Sequence, residues 1–126
     1  MAVAAAPVWA HHSSALFDFT TSRTFSGTVK EFQWTNPHVW VQVITTGADG
    51  SGEEWSLESG SVLIMKNMLG WNRTMINAGD KVTVRVNPSR DGSRSGMLAM
   101  IELPSGRRYE LFTVPAPGKP AVPILP

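Results

Sequence analysis

From residue 24 to about residue 111, apolar and polar positions alternate in short runs rich in β-branched residues, broken by glycine-bearing turns. Alternation with a period of two puts one face of each run in a core and the other toward solvent, so these runs predict strands. The expected strands cover 24–32, 39–45, 54–58, 81–87, 97–103 and 109–112. In the second, Val39, Val41 and Val43 share one face, while His38, Trp40, Gln42 and Ile44 share the other. In the third, Trp55 and Leu57 oppose Glu54, Ser56 and Glu58. In the fourth, Val82, Val84 and Val86 should face the core, with Lys81, Thr83 and Arg85 facing out, and Pro88 should end the strand.

The pattern changes once. The run Val62-Leu63-Ile64-Met65-Lys66-Asn67-Met68-Leu69 holds strong helix formers, follows a serine suited to an N-cap and precedes Gly70, where a glycine can end a helix. Met65 and Met68 are read as packing residues in preference to copper ligands. Five or six short strands with one helix between the third and fourth is the order of a small all-β, OB-like Greek-key barrel with one short helix. An SH3-like barrel and a small sandwich are the alternatives, since patterning does not determine which strands pair.

A chain of 126 residues is long enough for one compact core. The expected organisation is a residual signal peptide or flexible leader at 1–10, the barrel at 11–113 and a proline-rich flexible tail at 114–126. That tail holds Pro115, Pro117, Pro120, Pro123 and Pro126, and is expected to be extended and mobile, or laid along a partner as polyproline II. The small-x-small ending Val8-Trp9-Ala10 suits signal peptidase, although a basic n-region and a full apolar stretch are missing. A periplasmic or secreted location follows as an expectation. No stretch is apolar for the ~20 residues a spanning helix needs.

Eleven Lys and Arg against ten Asp and Glu leave a formal charge of +1, which gives no electrostatic reason to expect nucleic acid as partner. Arg85, Arg90 and Arg94, with Arg107 and Arg108, read as a solvated hairpin in preference to an anion site. The absence of cysteine excludes thiol catalysis, disulfides and zinc–thiolate sites. Glu54 and Glu58 share a strand face about 13 Å apart, four residues at the ~3.3 Å rise of a strand, too far for a hydrolytic carboxylate pair. The chain is therefore expected not to be an enzyme.

All three histidines fall in two motifs, His11-His12-Ser13 and Trp34-Thr35-Asn36-Pro37-His38. Cleavage after Ala10 would leave His11 with a free amine and an imidazole on one residue. With His38, and His12 as an auxiliary ligand, these nitrogens form a donor set suited to copper. Asn36-Pro37 would restrict the approach to His38, and Trp34 and Trp40 would shield it from water. A chain that kept Met1 would lose the amine ligand.

The motifs His11-His12-Ser13, Gly27-Thr28-Val29, Trp34-Thr35-Asn36-Pro37-His38, Trp55-Ser56-Leu57-Glu58, Gly70-Trp71 and Gly79-Asp80-Lys81-Val82-Thr83-Val84 occur in that order. Together they resemble a family of small exported Gram-negative bacterial proteins of unknown function, over roughly residues 10–110. The resemblance implies export and cleavage just before the paired histidines. It implies no catalytic residue.

Two further readings use other features. Five tryptophans are many for this length, and Trp34, Asn36 and Trp40, with Trp71 as a further member, offer a surface for a small molecule, lipid fragment, sugar or peptide. Trp55 and Trp71 are more readily read as core. Alternatively, the tail and the apolar run Met97-Leu98-Ala99-Met100-Ile101, taken as an exposed edge strand, would join copies into a homo-oligomer.

Overall fold

The computed structural model describes residues 16–46 and 52–124. The chain forms β1 (Arg23–Gln33), β2 (Trp40–Thr45), β3 (Glu54–Glu58), helix α1 (Val62–Leu69), β4 (Lys81–Pro88), β5 (Ser95–Glu102) and β6 (Arg108–Glu110). The sheet order is β3-β2-β1-β4-β5-β6, and a parallel pairing of β3 with β5 closes the first five strands into a barrel. This is the expected OB-like barrel, with β6 as an extra strand against the second half of β5.

Closure depends on β1, whose first half pairs with β4 and whose second half pairs with β2. A bulge between Val29 and Glu31 bends the strand so that it can serve both neighbours. Gly27 lies where both pairings overlap. A β-carbon there would fall 2.5 Å from the carbonyl oxygen of Ile44, so the close approach of β2 requires glycine.

The alternating valines fill the interior. Val39, Val41, Val43, Val84 and Val86 are completely buried, with Trp55, Leu57 and Trp71 among them. Phe32, Trp71 and Tyr109 pack ring to ring at 6.1 and 5.5 Å. Helix α1 is bounded as its caps require: the Ser61 side chain accepts from the backbone N–H of Ile64, and Gly70 adopts φ 70° while its N–H returns to Lys66 and Met65 carbonyls. Met65 is buried, whereas Met68 is exposed. No helix among the described residues is long and apolar enough to cross a membrane.

Three expectations are corrected. Met97–Ile101 is not an exposed edge: β5 pairs with β4, β3 and β6, and all five side chains are buried. Arg85 does point away from the barrel interior, yet it is buried rather than solvated, because residues 17–21 and 111–121 cover the outer side of β4. Its Nη2 donates to Glu110 Oε2 at 2.6 Å and to the Phe112 carbonyl at 2.8 Å. The tail, expected to be extended and mobile or laid along a partner as polyproline II, does not run extended: as far as residue 124 it turns back on the barrel. Thr113 donates to the Val122 carbonyl, Ala121 to that of Phe19 and Ile124 to that of Leu111, and Gly118 at φ 72° makes the reversal possible. Proline density predicted an extended chain; burial of Ala121 and these backbone bonds outweigh it.

Candidate functional site

The outer face of β1, β2 and β3 carries the polar and aromatic residues that alternation turns away from the valine core. Cross-strand register brings them together: Gln33 lies opposite Trp40, Trp40 opposite Glu58, Glu31 opposite Gln42, and Gln42 opposite Ser56. Trp40, half-buried, is therefore flanked by an amide on one side and a carboxylate on the other. Gln42 Nε2 donates to Gln33 Oε1 at 3.0 Å, which fixes the orientation of both amides and leaves a Gln33 donor and a Gln42 acceptor on the same surface. Further along, Lys30 bridges both oxygens of Glu54 at 3.0 and 3.1 Å.

His38 closes one end of this face. Its Nδ1 pairs with Glu58, whose side chain is 12% exposed while that of His38 is 32% exposed. Burial pushes the Glu58 carboxyl above its ordinary range, and the imidazole beside it offsets only part of that rise. The loop leading to His38 is tied down at several points. Thr35 Oγ1 donates to the His38 carbonyl at 3.0 Å, and Asn36 Oδ1 accepts from the backbone N–H of Val62 at 3.2 Å, in the first turn of α1. Behind it, Val39 N–H donates to the Gly60 carbonyl, and both the N–H and the hydroxyl of Ser59 donate to the Val39 carbonyl. The Asn36–Pro37 peptide is cis. Helix, strand end and loop thus hold His38 in place.

The residues expected to form a site separate into distinct roles. Trp40 stands on the polar face beside His38 and Glu58. Trp34 stacks on Phe32 at 5.8 Å and packs against the core cluster, and Asn36 caps the helix. Trp71, weighed as part of the aromatic surface, is buried, as is Trp55. His11 and His12 lie outside the described residues. Among the described residues, no three His, Asp or Glu side chains gather into a metal-binding group.

Glu58 is the member that sequence reasoning passed over. Tested only against Glu54 along its own strand, it was set aside with it; its partner is across the sheet and beyond the strand end. Gln33 and Gln42 were missed for the same reason. The signal that would have found them is strand register, of β2 with β3 for Glu58 and of β1 with β2 for the two glutamines, which composition alone does not determine.

The family of unknown function DUF6152 matches residues 1–99. No curated protein matches the chain. Among solved structures, the mitochondrial single-stranded DNA-binding protein Rim1 of S. cerevisiae is similar at TM-score 0.49 and 12% identity, over 68% of this chain and 93% of that one. So distant a likeness says nothing about what this chain binds.

Proposed function

We propose that the chain, which belongs to that family of unknown function and gains no activity from it, is a non-enzymatic binding protein, a reading drawn from the site, and that it is exported, a reading drawn from the Val8-Trp9-Ala10 ending before His11-His12. Its ligand lies on the outer face of β1, β2 and β3. The observation that carries this reading is the placement of half-buried Trp40 between Gln33, whose amide is bonded to Gln42 on the same face, and Glu58, beside the His38–Glu58 pair. An aromatic surface surrounded by a few oriented polar groups is how small-molecule and peptide sites combine affinity with orientation. The polar groups here are held by neighbours, so little ordering is needed on binding. Carboxylates on the face, Glu31 and Glu58 among them, disfavour a polyphosphate ligand.

Titration of glycan, lipid and peptide panels against tryptophan fluorescence tests the proposal. A saturable response in the intact protein, lost in a Trp40→Ala variant with an unchanged circular dichroism spectrum, is expected. A response that survives this substitution contradicts it.

A second reading is favoured by one contact. A carboxylate on histidine Nδ1 orients the ring, selects the tautomer and raises the basicity of Nε2, an arrangement usual for metal-bound histidines. Under this reading His38 is a copper ligand positioned by Glu58, with His11 and His12 as the others. Cu(II) titration of protein beginning at His11, beside the Met1 form and His38→Ala, tests it. One tight site that requires both the His11 amine and His38 supports copper binding; weak binding indifferent to both changes removes it.

A further inference from the structure

The segments that cover the outer side of β4 are held by Arg85 and Asn87, which donate to the Phe112 and Thr21 carbonyls. The other half of the same strand face, Lys81 and Thr83, borders an open groove of about 330 Å³. Ser26 of β1, with Glu102, Leu103 and Pro104 at the end of β5, lines that groove with them. Register explains the meeting. Ser26 and Glu102 lie opposite Thr83 on its two neighbouring strands, so one row of polar side chains crosses β1, β4 and β5. None of these residues belongs to the face around Trp40.

The hydrogen bonds along the row define what it offers. Lys81 Nζ donates to the Thr28 hydroxyl at 3.1 Å, a bond that holds the ammonium beside the groove without neutralising its charge. Ser26 Oγ and Thr83 Oγ1 are 3.1 Å apart, and whichever of them donates, the other keeps a proton to give. The ammonium and one hydroxyl proton therefore act together as donors. Glu102 Oε2 accepts from Arg108 at 3.0 Å, so this carboxylate is matched by its own cation and does not cancel Lys81. Leu103, half-buried, and Pro104 give the same groove an apolar wall.

We infer that this groove binds a small organic monocarboxylate, its two oxygens on Lys81 and the Ser26–Thr83 hydroxyls and its hydrocarbon part against Leu103 and Pro104. The positive charge favours an anion over a neutral polyol, because a charge-assisted hydrogen bond is about twice as strong as a neutral one. Glu102 on the same lining sets a limit on that anion, since a doubly charged group such as sulfate would bring its second charge against a carboxylate. The volume lies at the small end of the range for ligand sites, which suits a short-chain acid.

Nitrogen-15 amide spectra of the full chain during titration with hexanoate test the inference, with hexan-1-ol as the uncharged counterpart and sulfate as the dianion. Hexanoate is expected to give saturable shifts centred on Ser26, Thr83 and Leu103, with neither control matching it. In Lys81→Gln, a change at an exposed position, binding should weaken about tenfold while the remaining spectrum is retained. Absence of saturable shifts in the wild-type protein overturns the inference, as do shifts centred away from the groove, equal binding of hexan-1-ol or sulfate, or unchanged affinity in Lys81→Gln. The wild-type comparison of the three probes needs no variant and decides the matter if Lys81→Gln does not fold.

Discussion

At Glu58, burial and the neighbouring imidazole act in opposite directions on the carboxyl, and burial is the larger effect. The folded protein therefore holds this proton more firmly than the unfolded chain, where the group has its ordinary value of 4.5. The stability this contributes is complete below that value and is lost as pH rises through the higher folded one. Urea unfolding from about pH 4 to 7 should show wild type losing stability relative to Glu58→Gln as pH rises. A constant difference between the two would contradict the account of this pair. The tryptophans divide in the same residue-by-residue way. Trp55 is buried against Phe25 and Arg23, and Trp55→Ala should cost about 3–5 kcal/mol in the same assay. Trp40→Ala, on the outer face, should cost much less. The alternation of valines made this division legible for Trp40 and Trp55. It could not show that Trp34 rests on Phe32, a contact beyond the end of β1 and outside any periodic pattern.

Helix α1 was legible to its last residue because its boundaries are local. Ser61 and Gly70 are each defined by chain geometry within a few residues, so no tertiary information was needed. Ser61→Ala should lower stability by about 1 kcal/mol, and Gly70→Ala by about 1–2 kcal/mol from its left-handed backbone. Both are measurable by thermal unfolding, and a negligible effect of either would show that tertiary packing alone determines the helix ends. Strands were legible as elements but not as neighbours. Apolar density in 97–101 was compatible with an edge in need of cover and with a fully enclosed strand, and only the pairing of β5 to β3, β4 and β6 separates the two. Arg85 misled for a related reason: strand alternation assigns a face correctly, but says nothing about what later covers that face.

At the scale of the whole barrel, the described residues close over one side and leave another open. Residues 17–21 and the folded-back tail cover the outer side of β4, whereas the β1–β2–β3 side presents Gln33, Trp40, Gln42 and Glu58. Deleting residues 114–126 removes the backbone bonds to Phe19, Leu111 and Thr113 and the buried Ala121. A loss of roughly 1–3 kcal/mol is expected in urea unfolding, with the solution mass per particle unchanged in multi-angle light scattering; a halved particle mass would mean that the tail joins copies instead. The central claim is that the open face is where ligand binds. Nitrogen-15 amide spectra recorded during titration of glycan, lipid and peptide panels test it most directly. Shifts concentrated at Gln33, His38, Trp40, Gln42, Ser56 and Glu58, with the Trp40 indole N–H moving among them, are predicted for a responding ligand; shifts centred on α1 or the tail, or none across the panels, would contradict it.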